Sequence, residues 1–329
     1  MSVYVRTART AVRVPGAPAP YDTVHVVARY PALPAQDEAQ RMSGRLDADA
    51  AGAPYPVVVI ASGVNLPADG YRWLACRLVE AGFVVAGYDW LGELFPGEPG
   101  LTPGIDLEAA GPEHYGERPT TPALAPVLDA LASLNGSGPL AGLLDLERVG
   151  VFGHSAGGTV LLQSARAEWF PQVRAVVTYA AHTMAAQALG HAPRTLLAAP
   201  VAAPTLLIDG TADGVIAASA IRYGEQAGAA AHDPVERTWR EALPESTEAW
   251  LVRLAGGGHL LPVHPEDPST ARGFLEEPTD ADPERLRQVL ADLVTSFLAA
   301  KLLGRPEDKQ RLEQLTEQPP SEIADIHRR

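Results

Sequence analysis

Six short apolar runs set the rhythm of the chain. Residues 57–61 (VVVIA) are β-branched and bounded by Pro56 and Ser62-Gly63, the pattern of a fully buried strand. Residues 83–87 (FVVAG), 148–152 (RVGVF), 174–180 (RAVVTYA), 205–209 (TLLID) and 249–254 (AWLVRL) repeat it, the last of these predicting the final strand. Stretches with helical spacing lie between them: Trp73, Leu74, Arg77 and Leu78 precede a stop at Gly82, and TVLLQSARA follows a glycine-rich turn at 153–158. Apolar strands alternating with helices predict an α/β fold, a mostly parallel central sheet with helices on both faces. Residues 22–30 (DTVHVVARY) alternate instead, which predicts an antiparallel N-terminal edge strand.

The rest of the chain divides around this sheet. Residues 36–54 are small, polar and charged and predict a surface loop. Two long connections stand out, 91–122 and 229–247; connections of that length are uncommon and often functional. Pro283 opens a long amphipathic helix whose stripe is Leu286, Val289, Leu290, Leu293, Val294 and Phe297, with Gly304 ending it. The charged remainder predicts a peripheral tail. The resulting division is an N-terminal strand and loop over 1–53, a main domain over 54–304 without a large cap, and the tail over 305–329.

Charge and composition narrow the function. Forty acidic residues against 26 basic ones give a net charge of −14 over 329 residues, which points away from a phosphate-backbone partner. No run approaches the roughly 18 apolar residues of a membrane span. The N-terminal MSVYVRTARTAVRVPG has arginines but no apolar core of a signal peptide, so a cytoplasmic location is expected. A single cysteine, Cys76, excludes an internal disulfide and a cysteine-based zinc cluster.

The chemistry concentrates at Gly153-His154-Ser155-Ala156-Gly157, a G-x-S-x-G pattern at the end of an apolar strand and the start of a helix. In that context Ser155 occupies a strained turn that projects its hydroxyl above the sheet, and the amide of Ala156 sits at a helix N-terminus facing a developing oxyanion. With this motif and the run YPVVVIASGVNLPADGYRWLACRLVEAGFVVAGYDW, the chain resembles the α/β-hydrolases over about residues 54–304. Its branch is similar to the dienelactone-hydrolase-like esterases, including the cutinase, polyester-hydrolase and chlorophyllase types. The resemblance implies an α/β-hydrolase fold, a serine hydrolase acting on a small-molecule carboxylic ester, a triad in the order Ser, Asp or Glu, His, and neither cofactor nor metal.

The same resemblance assigns the remaining roles. The base belongs on the loop after the last strand, where Gly256-Gly257-Gly258 leads into His259; His264 is the alternative among nine histidines. The acid belongs three residues beyond the glycine that ends the penultimate strand, hence Asp213 after Gly210, with Asp209 the alternative. The second oxyanion amide falls to Val64 in the turn after the first parallel strand, with Asn65 able to contribute instead. His154 lines the turn beside the nucleophile, and His182, after the strand at 174–180, lines the substrate pocket together with Asn65. On the 91–122 side Trp90, Phe95 and Tyr115 are candidate apolar contacts, with ordinary packing the favoured role for each. Lacking the disulfides common in secreted polyester hydrolases, the chain points away from a bulk polymer as natural substrate. Cys76 is on a predicted helix, so it is structural and not the nucleophile. The rivals are an amidase, thioesterase or acyltransferase of the same architecture, and a non-catalytic binding protein on a hydrolase scaffold. The long helix and the insertion leave room for a homodimer.

Overall fold

The computed structural model describes residues 3–95, 97–226, 232–267, 269 and 273–329. Its centre is a ten-stranded mixed sheet: β1 (Tyr4–Arg13), β2 (Thr23–Ala32), β3 (Tyr55–Ala61), β4 (Val84–Phe95), β5 (Glu98–Leu101), β6 (Leu144–His154), β7 (Val173–Tyr179), β8 (Thr205–Gly210), β9 (Ala249–Leu254) and β10 (Ile323–Arg328). The order is β1-β2-β4-β3-β6-β7-β8-β9-β10, with β5 folded back on β4. The run from β4 to β9 is parallel; β1, β2, β5 and β10 are antiparallel to their neighbours.

Eight α-helices accompany it among the described residues: α1 (Glu38–Ser43), α2 (Arg72–Glu80), α3 (Leu124–Gly136), α4 (Ala156–Ser164), α5 (Gly214–Ala218), α6 (Pro234–Arg237), α7 (Pro283–Leu302) and α8 (Pro306–Glu317). The two-residue period of the strands sorts their side chains into two cores. Val57, Val59 and Ala61 pack with Leu124, Val127 and Leu131 of α3 and Leu161 of α4. Val58 and Ile60 face the other way, with Leu74 and Leu78 of α2 and Leu290, Leu293 and Phe297 of α7. The sheet is thus covered on both faces, and β-branched runs such as VVVIA are buried throughout.

Helix termini follow local chemistry. Asp282 caps α7 by accepting from the Glu284 N–H, Pro283 occupies its first turn, and Gly304 beyond it has φ +69°, a conformation glycine adopts without penalty.

Several sequence expectations change here. Residues 22–30 belong to β2, which is antiparallel but internal; β1 is the edge. The charged segment after Gly304 is folded: α8 packs on α7 through Leu312, and β10 extends the sheet beyond β9, which is therefore not the last strand. One apolar face suffices for an edge element, and buried Ile323 with half-buried Ile326 provides it. The 36–54 loop contains α1, capped by Asp37. The 91–122 connection begins as the β4–β5 hairpin and is fastened further on by Asp106, which binds the Ala109 N–H at 2.9 Å and Arg118 at 2.9 Å. Residues 227–231 of the other long connection lie outside the described residues; the part that follows forms α6 and one wide helical turn over Thr238–Ala242. No helix among the described residues is long and apolar enough to cross a membrane.

Candidate active site

The register of the parallel strands brings their C-terminal ends together. Ala61 of β3 pairs with Gly153 of β6, which pairs with Thr178 of β7. Ser155 follows β6 immediately, at φ +52° and ψ −125°, a conformation rare for a residue with a side chain. Such a turn requires close backbone passage. A Cβ on Gly157 would lie 2.3 Å from the Ala61 carbonyl oxygen, and one on Gly153 would lie 2.4 Å from the Gly158 Cα. Glycine at both positions is therefore a packing necessity, and the turn lifts the Ser155 side chain out of the sheet.

Three segments distant in sequence meet at that side chain. His259 Nε2 is 3.0 Å from Ser155 Oγ, and His259 Nδ1 is 2.8 Å from Asp213 Oδ2. His259 and Asp213 are both buried. Asp213 also caps α5, accepting from the Ile216 N–H at 2.8 Å, which fixes its carboxylate. The imidazole is thus held with one nitrogen on an acid and the other on a hydroxyl. That geometry allows it to take the hydroxyl proton while the carboxylate stabilises the cation formed.

The alternatives sit elsewhere. Asp209 lies within β8 and faces Arg253, with Arg253 Nη1 at 3.6 Å. Burial, opposed by Arg253, raises its carboxyl to about 7. His264 donates its N–H to the Gly70 carbonyl and lines a groove with Trp73 and Arg77. Cys76 is a half-buried thiol on α2, its acidity weakened chiefly by burial.

A cavity of about 350 Å³ opens at Ser155 and is lined mostly by apolar side chains, among them Ile105, Met184, Leu197 and Val215. Val64, Ala156 and His182 line it as well. Among the described residues, neither the Val64 nor the Ala156 N–H is committed to a backbone carbonyl, whereas the Asn65 N–H donates to Leu101 O at 2.8 Å. Asn65 is exposed, adopts φ +60°, and is not part of the cavity wall; the β4–β5 hairpin draws its backbone away. Its backbone amide is therefore not available to an oxyanion.

His182 accepts the Met184 N–H on Nδ1 at 3.2 Å, which leaves the proton on Nε2. Burial, reinforced by repulsion from His232, His259 and Arg222, lowers this imidazole to about 3, so it is a neutral donor at the cavity wall.

His154 lies in the turn beside the nucleophile and supports it, without reaching substrate. It is fully buried and absent from the cavity wall. Nε2–H donates to the His259 carbonyl at 2.9 Å, and Nδ1 accepts from the Tyr71 hydroxyl at 2.7 Å. That hydroxyl in turn accepts the Gly63 N–H at 3.1 Å. Burial keeps the imidazole neutral, as this bonding requires. A continuous chain of bonds thus joins the turn carrying Val64 to the backbone of His259, through a histidine that supports and does not contact the cavity.

Other supports carry no sequence signal. Tyr179 donates to the Gly258 carbonyl at 2.6 Å, and Ala212 N–H to Gly257 O at 2.9 Å, so the glycine loop is bonded to both β7 and the acid loop. Ile105, Leu107 and Ala110 of the 91–122 segment form one cavity wall. Trp90 and Tyr115 are packing residues: the Trp90 indole donates to Tyr21 O at 2.8 Å, and the Tyr115 hydroxyl binds Ala198 O. The side chain of Phe95 lies outside the described residues.

A scan against protein-family models and a search of curated proteins each find no match for this chain. Among the described residues no group of three or more histidine, cysteine or acidic side chains could hold a metal ion.

Proposed function

We propose that this chain is a serine hydrolase of α/β-hydrolase type that cleaves small carboxylic esters through an acyl-enzyme. The observation that carries the reading is the pair of contacts at His259, 3.0 Å to Ser155 Oγ and 2.8 Å to Asp213 Oδ2, at the mouth of an apolar cavity. The positive φ of Ser155 at a strand-to-helix turn and the chain order Ser, Asp, His support the fold assignment.

In this mechanism His259 removes the proton as Ser155 Oγ attacks the ester carbonyl. The oxyanion of the tetrahedral intermediate takes the N–H groups of Val64 and Ala156, the latter at the start of α4. His259 passes its proton to the departing alcohol, leaving the acyl group on Ser155. Water, deprotonated by His259, attacks the acyl carbon; Ser155 regains its proton and the acid leaves. The apolar walls favour an uncharged acyl group, and the neutral His182 offers it one hydrogen-bond donor.

The test is covalent labelling with a fluorophosphonate followed by peptide mass spectrometry. A stoichiometric adduct on Ser155, absent from Ser155→Ala, is expected. A folded protein that remains unlabelled sinks the reading and moves a non-catalytic binding scaffold to the front. A panel of activated esters, thioesters and amides then ranks the leaving group, with esters expected to turn over fastest.

A further inference from the structure

One segment touches both the acid loop and the base loop of the site. Residues 275–277, just after the short 3-10 turn Gly273–Leu275, run across the two. On the acid side, Glu277 N–H donates to Ala212 O at 3.1 Å, and a Cβ on Gly214 would collide with the Leu275 carbonyl. On the base side, the Glu276 carboxylate accepts two successive amides: His259 N–H on Oε2 at 2.8 Å and Leu260 N–H on Oε1 at 2.7 Å. A Cβ on Gly258 would lie 2.8 Å from that same carboxylate, so the third glycine of the triple is the one that admits it.

We propose that Glu276 is a positioning residue of this site: its ionised carboxylate clamps the backbone of His259 and Leu260 and so holds the imidazole at Ser155, and protonation of that carboxylate in mild acid releases the clamp. The inference rests on the hydrolase reading. Its logic is one of counting. A carboxylate accepts on both oxygens, and two parallel N–H groups occupy both. A protonated carboxyl has one oxygen turned donor, which confronts an amide N–H that is itself a donor. One of the two bonds, at the His259 or the Leu260 amide, is then lost, and either loss loosens the backbone that carries the base.

The groups facing Glu276 act in opposing directions. Burial and the nearby Asp213 raise its carboxyl, while the two amides and His259 lower it, the net direction being upward. The Tyr179 hydroxyl also lies in its field, and Glu266, Asp267 and Glu277 line the cavity on its outer side. The balance favours the protonated carboxyl more than it would in a free glutamate, so acidification acts on the clamp itself.

Two readouts on the full chain test this. The first is the rate of Ser155 labelling by a fluorophosphonate against pH. The wild type is expected to lose rate on its acid side with a log–log slope above 1, because a proton on the clamp adds to the proton on the base. Glu276→Gln keeps one acceptor and no titratable group, so its slope is expected to fall to 1. Its plateau is expected about tenfold lower, as for a small misplacement of a reacting group. The second is amide hydrogen exchange of the 256–262 peptide, read as protection relative to the intrinsic rate at each pH, with lower protection expected in Glu276→Gln at neutral pH and in the wild type on acidification. Wild-type slope, plateau and exchange in Glu276→Gln overturn the clamp. No labelling of wild type at any pH overturns the hydrolase reading, while exchange still decides the clamp. If Glu276→Gln does not fold, the wild-type slope and the pH dependence of its protection decide: a slope of 1 with unchanged protection overturns the proposal.

Discussion

Tyr71→Phe isolates the bond chain beneath the site with the loss of a single oxygen. Tyr71 is fully buried, and its hydroxyl serves two buried partners, accepting from Gly63 N–H at 3.1 Å and donating to His154 Nδ1 at 2.7 Å. Phenylalanine keeps the ring contact with Phe152 at 6.5 Å between centroids and removes both bonds. Each polar group left unpaired in the interior costs about 1–3 kcal/mol, so a loss of about 3 kcal/mol is expected. An unfolding entropy of about 2.1 cal/mol/K per residue converts this into a fall in Tm of about 4 °C for a chain this long. Urea unfolding with linear extrapolation measures the free energy directly. The same change loosens Gly63, the neighbour of Val64, and the support of the His259 carbonyl, so kcat on an activated ester should fall about tenfold with little change in KM. A double-mutant cycle with His154→Phe should show strong coupling, since the two side chains share one bond. A loss under about 0.5 kcal/mol with wild-type turnover would refute the reasoning, because the hydroxyl would then carry no load in the folded state.

Asp213→Asn should leave the fold intact and lower kcat by about 10⁴, because an amide presents the wrong partner to His259 Nδ1; turnover within a few-fold of wild type would contradict the assigned acid. Gly157→Ala should yield insoluble or unlabelled protein, since its Cβ would lie 2.3 Å from a backbone oxygen that cannot move independently; soluble, fully labelled protein would show that the turn has slack. His182 ionises at about 3 when folded and near its ordinary 6.5 when unfolded, so the unfolded chain binds more protons between those values. Stability should therefore fall as pH drops from about 6.5 towards 3, and His182→Asn should flatten that decline in denaturation midpoints. Asp209, raised to about 7, works in the opposite sense, stabilising below the ordinary carboxyl range and losing that contribution as pH rises to about 7, so Asp209→Asn should remove a loss of stability over that interval.

Elements buried on both faces were legible because composition alone marks them: AWLVRL is β9 residue for residue, and VVVIA lies within β3. Their ends were less so. RVGVF is the middle of β6, whose first residues, LDLE, pair with Tyr55 and Pro56 through a register shift that no local pattern announces. β10 escaped because half of IADIHR is polar and the strand is held by one neighbour. The glycine-flanked serine and the histidine after three glycines carry local signatures, and the structure brings both together with Asp213. Tyr71 and Glu276 carry none, since each acts through partners more than eighty and about seventeen residues away respectively. Asn65 was misplaced because its neighbour Val64 faces the cavity while a hairpin, invisible as such in the sequence, captures its own amide.

The two outermost strands bear on how this chain behaves in a crowd. Free edges offer unpaired backbone to other molecules, and apolar strands are the ones that aggregate through them. Here every parallel strand has a neighbour on each side, and the two ends of the main strand order are β1, with Arg6, Arg9 and Arg13, and β10, with Asp325, His327 and Arg328. Ionic side chains on both rims oppose strand addition. Loosening β10, for instance by Ile323→Asp, would uncover AWLVRL, and such a variant should reveal itself by light scattering as self-association while its triad is still assembled.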